Sequence, residues 1–125
     1  MLKKNNLISN GIVGTWELKE AQNGMIPSKS YPPGNGDILQ FTDSIYKRFN
    51  NGILIKTGHY KIVADSSVMA AVGLDIPTGQ FTNRMIFDND HASDKTFIEI
   101  KNNRLTLLSG FFPADGGSRI SYEKK

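Results

Sequence analysis

Ile12-Val13-Gly14-Thr15-Trp16-Glu17-Leu18-Lys19-Glu20 decides how this chain is read. Ile12, Gly14, Trp16 and Leu18 fall on one face of an extended segment, and Thr15, Glu17 and Lys19 fall on the other. Period two with one apolar face is the pattern of a half-buried strand. Asn23-Gly24 ends it.

The same alternation recurs along the chain, and helical period is almost absent. Asp37 to Thr42 turns Leu39 and Phe41 inward, and Thr42-Asp43-Ser44 is a turn. In Ser44 to Asn50, Ile45 and Tyr46 compete for the inner face. Asn51-Gly52 is a strong hairpin signal, followed by Ile53 to Val63, where Gly58 is expected to mark a bulge or bend. Gln80 to Asp88 places Phe81, Met85 and Phe87 on one face, and Thr96 to Lys101 does the same with Ile98 and Ile100. Asn102-Asn103 turns the chain into Arg104 to Ser109, and Ser118 to Glu123 closes it with Ile120 and Tyr122.

Three segments break the pattern. Met25 to Gly36 carries Pro27, Pro32, Pro33, Gly34 and Gly36, which suits a loop and not a central strand. Ala64 to Gly79 is an apolar loop against the wall, within which Ser66 could cap a helical turn from Val68 to Val72, stopped by Gly73 and Pro77. Phe111 to Gly117 is a loop with two aromatics.

About eight short strands joined mostly by hairpin-length turns predict an all-β fold, an antiparallel meander. The expected form is an up-and-down β-barrel with residues 12–125 as its single domain, preceded by a flexible segment 1–11. At 125 residues with 38% hydrophobic side chains, such a domain buries roughly 68% of its unfolded surface and needs no covalent staples.

Composition removes several function classes. The absence of cysteine excludes disulfides, thiolate metal sites and a thiol nucleophile. Net charge is only +3, and the basic residues are spread out except for Lys3-Lys4 and Lys124-Lys125, read as solvated tails. Nucleic acid is therefore not an expected partner. The longest apolar run, Val68 to Leu74, is far short of the ~20 residues of a membrane-spanning helix. The basic start has no apolar stretch after it, which fits a cytoplasmic protein or a chain that begins after a removed leader.

No catalytic constellation emerges. Serines at 66, 67 and 109 lack a nucleophile elbow. Asp88, Asp90, His91 and Asp94 lack the ordered oxygen set of a calcium loop and read as a solvated turn. No catalytic residue, metal or cofactor is expected, and the protein is read as a non-enzyme.

Gly14-Thr15-Trp16 resembles the Gly-x-Trp motif of the lipocalins. The likeness is sharper to small lipocalin-like domains of bacterial envelope proteins. It extends through Asp37-Ile38-Leu39-Gln40-Phe41-Thr42-Asp43, Gly58-His59-Tyr60 and Asp115-Gly116. The resemblance implies that Gly14, Trp16 and Arg119 close one end of the barrel, with Arg119 stacked on Trp16 as a cation–π pair. It implies that the loop Met25–Gly36 lies over the open end, with Met25, Ile26 and Tyr31 as apolar rim. It implies a cell-envelope or periplasmic location if a leader has been removed. The Arg-x-Tyr carboxylate clamp of the fatty-acid-binding relatives is not matched. Arg119 and Tyr122 are three apart, hence on opposite faces.

The expected function is non-catalytic binding of a small apolar or amphipathic molecule. The expected lining is Leu39, Phe41, Tyr46, Tyr60, Met85, Phe87 and Leu107, with the hydroxyls of Tyr46 and Tyr60 seeking a partner that a ligand could supply. The alternative is a filled barrel acting as an interaction module of the envelope, with Phe111-Phe112 as the partner patch. Cavity volume separates the two, since ligand pockets start near ~300 Å3.

Overall fold

A computed structural model describes residues 11–24 and 26–125. Eight strands close into an antiparallel up-and-down barrel, with one short extra strand. The strands are β1 Gly14–Asn23, β2 Lys29–Ser30, β3 Ile38–Phe41, β4 Ile45–Asn50, β5 Ile53–Ala64, β6 Asn83–Phe87, β7 Thr96–Lys101, β8 Arg104–Ser109 and β9 Ser118–Lys124. Each pairs with the next around the wall, except that β3 pairs directly with β1, and β9 returns to β1. Closure leaves no free edge on the eight, which protects an all-β domain from edge-to-edge association.

Local chemistry explains the corners. Asn51 and Gly52 both have positive φ (54° and 79°), as do Asn102 and Asn103 (52° and 61°). Both positions of a type I′ hairpin turn need that conformation, and asparagine tolerates it best after glycine. The irregularity in the β4–β5 pair falls at Ile55, which is extra between the Arg48–Lys56 and Phe49–Leu54 pairs. The bulge expected at Gly58 is therefore displaced by three residues. Gly58 has another reason. A Cβ there would lie 2.0 Å from Asp88 Oδ1 and 2.9 Å from Tyr46 Cε1. Glycine leaves room for the Asp88 carboxylate to cross the wall.

The inner face is as the alternation predicts. Trp16, Leu18, Leu39, Phe41, Tyr46, Tyr60, Met85, Ile98, Leu105 and Tyr122 form one buried cluster. Tyr46 wins the contest with Ile45, which is exposed. Ile12 is buried too, but it is helical and not extended. Its carbonyl accepts a hydrogen bond of 2.8 Å from the Trp16 indole. Of the segment expected to be flexible, residues 1–10 lie outside the described residues, and Gly11 is helical with Ile12.

A second cluster sits on the outside of the wall. Helix α1, Val68–Val72, and a 3-10 turn, Phe112–Ala114, cover β7 and β8. Val68, Val72, Ile76, Phe81, Phe97, Leu108 and Phe112 pack there. Two expectations are corrected by this cluster. Phe81 is not on the barrel's inner face. It precedes β6 with positive φ (52°) and turns outward. The residue that caps α1 is Ser67, not Ser66, and its side chain makes no capping bond to the helix. Instead the Ser67 hydroxyl and amide both donate to Asp65 Oδ1, at 2.6 and 2.9 Å. Gly73 does end the helix, in the left-handed conformation.

Asp65 anchors this strap to the barrel. Lys95 Nζ is 2.9 Å and Arg84 Nε 3.2 Å from Asp65 Oδ2. Burial pushes the Asp65 carboxyl up. Hydrogen bonds from Ser67 and Lys95 outweigh it, and the group titrates at about 2.

Candidate functional site

The two ends of the barrel differ. The end that holds the start of β1 and the ends of β3 and β9 is sealed. Trp16 is fully buried and Phe41 nearly so, and Phe41 meets the Tyr60 ring edge-on at 5.0 Å. Ile98 and Leu105 complete the plug.

The cation over the Trp16 ring is Lys124, with Nζ 5.5 Å from the ring centre. It is not Arg119. Lys124 stands directly across from Trp16 in the β1–β9 pair, whereas Arg119 stands across from Gln22 near the other end. Alternation along β9 turns Ile120, Tyr122 and Lys124 inward and Arg119 outward. Gly14 is part of the same arrangement. Its φ is 139°, and a Cβ there would sit 3.0 Å from Lys124 Cε. Glycine lets the lysine arm cross above the indole. Lys124 and Lys125 are exposed to solvent, as expected, but Lys124 also belongs to β9 and covers the indole. Lys125 Nζ also lies 3.8 Å from Glu17 Oε2.

At the opposite end a cavity of about 250 Å3 opens. Its apolar lining is Leu39, Tyr46, Phe87, Leu107, Ile120 and Tyr122, and its polar lining is Arg48, Lys56, Thr96, Ser109 and Ser118. A larger hollow of about 420 Å3 lies on the outer wall, edged by Glu99, Lys101, Arg104 and Glu123. That trough is of mixed charge and has no apolar floor, so the inner cavity is the better-formed site.

Four of the seven expected lining residues surround the cavity: Leu39, Tyr46, Phe87 and Leu107. Phe41, Tyr60 and Met85 are buried in the core instead. The hydroxyls of Tyr46 and Tyr60 are already engaged within the protein. Tyr46 donates to Asp88 Oδ2 at 2.7 Å, and Tyr60 donates to the Thr42 carbonyl. Neither needs a ligand. Burial, then the bond to Asp88, pushes the Tyr46 phenol up to about 12. The same bond is the chief cause holding the Asp88 carboxyl below its usual range. The Asp88–Asp94 loop is committed internally, since Asp90 accepts from Ala92 and Ser93.

Tyr122 is the phenol that faces the cavity without a hydrogen-bond partner among the described residues. Burial pushes it up to about 12, while the nearby Arg48 charge pulls the other way. Sequence reasoning missed Tyr122, Arg48 and Lys56 as lining. The signal was there: Arg48 is two residues from inward Tyr46, and Lys56 two from Gly58, so both are inward positions filled by cations.

The loop before β3 is wall and not lid. Its backbone bonds to the neighbouring wall, from the Tyr31 amide to the Lys19 carbonyl (2.9 Å) and from the Gly52 amide to the Gly36 carbonyl (3.0 Å). Tyr31 packs on the core, and Ile26 is exposed. Met25, named with them as rim, lies outside the described residues. No residue of 26–36 lines the cavity among the described residues.

Fold and site together define a class: a closed eight-stranded barrel, plugged at one end and open at the other. Comparison with protein-family models, curated proteins and solved structures gave no match. The lipocalin resemblance therefore rests on the motif residues alone. No helix among the described residues is long and apolar enough to cross a membrane.

Proposed function

We propose that this barrel binds a small apolar or amphipathic molecule, without catalysis, in its open end. The observation that supports this is the inner cavity of about 250 Å3 over an apolar floor of Leu39, Phe87, Leu107 and Ile120. Its volume sits just under the ~300 Å3 typical of pockets for drug-sized ligands. At ~30 Å3 per water-sized group, it accommodates about eight such groups. The ligand is small. Binding comes mainly from apolar area removed from water, at roughly 25 cal/mol per Å2 before ordering costs.

Native mass spectrometry of freshly purified protein, set against its denatured mass, tests this. A reproducible excess of a few hundred daltons or less supports the carrier reading. A bare mass, together with failure of an apolar fluorescent probe to enter, removes it.

A second reading is an interaction module. It is favoured by the tip of the β4–β5 hairpin, where Ile53, Leu54 and Ile55 are all exposed. Consecutive exposed aliphatics on a soluble domain mark contact surfaces. The patch expected from the sequence, Phe111-Phe112, is split: Phe111 is exposed, but Phe112 is buried in the outer cluster.

A further inference from the structure

The open end is unusual in what its inner face carries. Arg48 and Lys56 stand opposite one another in the β4–β5 pair, and Arg48 also stands opposite Leu39 in the β3–β4 pair. Leu39 is an inward residue of the buried core. Cross-strand partners share a face, so both cations are delivered to the interior side of the barrel. Both line the cavity with Leu39, Phe87, Leu107 and Ile120. No carboxylate lines it among the described residues.

The two cations are incompletely satisfied. Arg48 makes no ion pair among the described residues. Lys56 has one distant partner, Asp88 Oδ2 at 3.9 Å, and that carboxylate already accepts from Tyr46 and the His59 amide. Tyr122 lines the same space, its hydroxyl makes no hydrogen bond among the described residues, and the Arg48 charge and, more weakly, the Asp37 carboxylate both act on it. Both cationic side chains are exposed at the open mouth, and two adjacent cations over an apolar floor, with no carboxylate among the lining residues, form a positive rim that an anion would complement.

Resting on the carrier reading above, we propose that the cavity takes a small amphiphile with an anionic head. The head sits between Arg48, Lys56 and the Tyr122 hydroxyl, and the apolar body lies against Leu39, Phe87, Leu107 and Ile120. A guanidinium and an ammonium together hold a carboxylate, sulfate or phosphate oxygen set through charge-assisted hydrogen bonds, the stronger kind. The cavity holds about eight water-sized groups of head and body together, so the end of a longer body projects from the open mouth.

Matched eight-carbon probes test the head and the body separately. Octyl sulfate, octanoate, 1-octanol and octyltrimethylammonium are titrated into the full chain below micelle-forming concentrations. Binding is followed by calorimetry and by amide shifts of residues 39, 48, 56, 107 and 122. The expected result is that at least one anion binds about tenfold or more tightly than 1-octanol and that the cationic probe binds weakest. Added salt weakens only the anion.

Arg48→Met and Lys56→Met, at exposed positions, should each lower the ratio of anion to 1-octanol affinity severalfold. If 1-octanol or the cationic probe binds as tightly as both anions, the anionic head is wrong and the apolar cavity stands. The anionic head is equally wrong if both variants keep the preference. If no probe binds and no cavity amide shifts, the carrier reading itself fails.

Discussion

The two ends of this barrel are built from the same strands and the same alternation, yet one is solid and the other hollow. At the closed end the inward positions hold Trp16, Phe41, Tyr60, Ile98 and Leu105, all buried. Toward the open end the inward positions hold Arg48, Lys56, Thr96 and Ser109 above half-buried Phe87 and Leu107. Alternation decides which way a side chain points. Side-chain size and polarity decide whether the interior is then filled. Long cations do not pack into a core, because burying an unpaired charge costs far more than it returns. Placing them inward keeps that end open to water.

The largest expected effect tests that contrast directly. Trp16→Ala removes a fully buried ring, its hydrogen bond to the Ile12 carbonyl and the seat of Lys124. It should cost about 3–5 kcal/mol in urea unfolding. Phe87→Ala, at the half-open end, should cost about 1–2 kcal/mol, because its site is already partly wet. Equal losses would mean that the two ends are not energetically distinct.

Next comes the junction of the two ends. Gly58→Ala would place a Cβ 2.0 Å from Asp88 Oδ1. Asp88 must then withdraw from Tyr46 and from the His59 amide, at an expected cost of about 2 kcal/mol. The Tyr46 phenol would lose the second of the causes that raise its titration toward 12. Its titration should fall only part of the way from about 12, because burial, the larger cause, remains. An alanine variant of unchanged stability and unchanged phenol titration would show that Asp88 does not hold this junction.

Much of this architecture is legible in the sequence. Trp16, Leu39, Phe41, Ile98 and Tyr122 follow from period two, and the Asn51-Gly52 and Asn102-Asn103 turns follow from the left-handed tolerance of their residues. Other features are not legible, for definite physical reasons. Phe81 looks inward because parity counts back from Met85, but its positive φ interrupts the strand and reverses its side. Arg119 is the partner of Trp16 that the lipocalin resemblance implies, as an arginine near the last strand. The β1–β9 register, which no local pattern encodes, puts Lys124 there. Lys56 is legible when parity is counted back from Tyr60 and Gly58, and is lost only when it is counted forward from Ile53, because Ile55 is extra between them. The apolar loop from Ala64 to Gly79 packs against the wall as expected, but the partners it meets there, Phe81, Phe97, Leu108 and Phe112, come from separate segments that no local period links.

A smaller effect belongs to the outer strap and should leave both barrel ends untouched. The Asp65 carboxyl titrates at about 2 in the folded protein, against 3.8 as its ordinary value. Its contribution is therefore present in full above the unfolded value and is lost as pH falls from about 4 toward 2. Asp65→Asn should remove that contribution, costing about 1–2 kcal/mol at neutral pH, and should flatten this part of the acid limb. Hydrogen exchange should quicken in α1 while the amides of Phe41 and Leu105 keep their protection. Loss of protection throughout would mean that strap and barrel unfold as one unit.

The finest test compares two tyrosines that differ in a single hydrogen bond. Tyr60, at the closed end, donates to the Thr42 carbonyl. Tyr60→Phe leaves that carbonyl unpaired in a part-buried site and should cost about 1 kcal/mol. Tyr122 is as well covered as Tyr60, but its hydroxyl has no protein partner to abandon among the described residues. Tyr122→Phe should therefore change stability by less than about 0.5 kcal/mol in urea unfolding. Its phenol, held up at about 12 chiefly by burial, stabilises the fold below pH 10 and loses that contribution as pH rises through 12. The phenylalanine variant should be silent below about pH 10 and depart from wild type only above it. A large loss at neutral pH would mean that the Tyr122 hydroxyl is bonded within the protein, and the open end would then have one fewer group to offer a ligand.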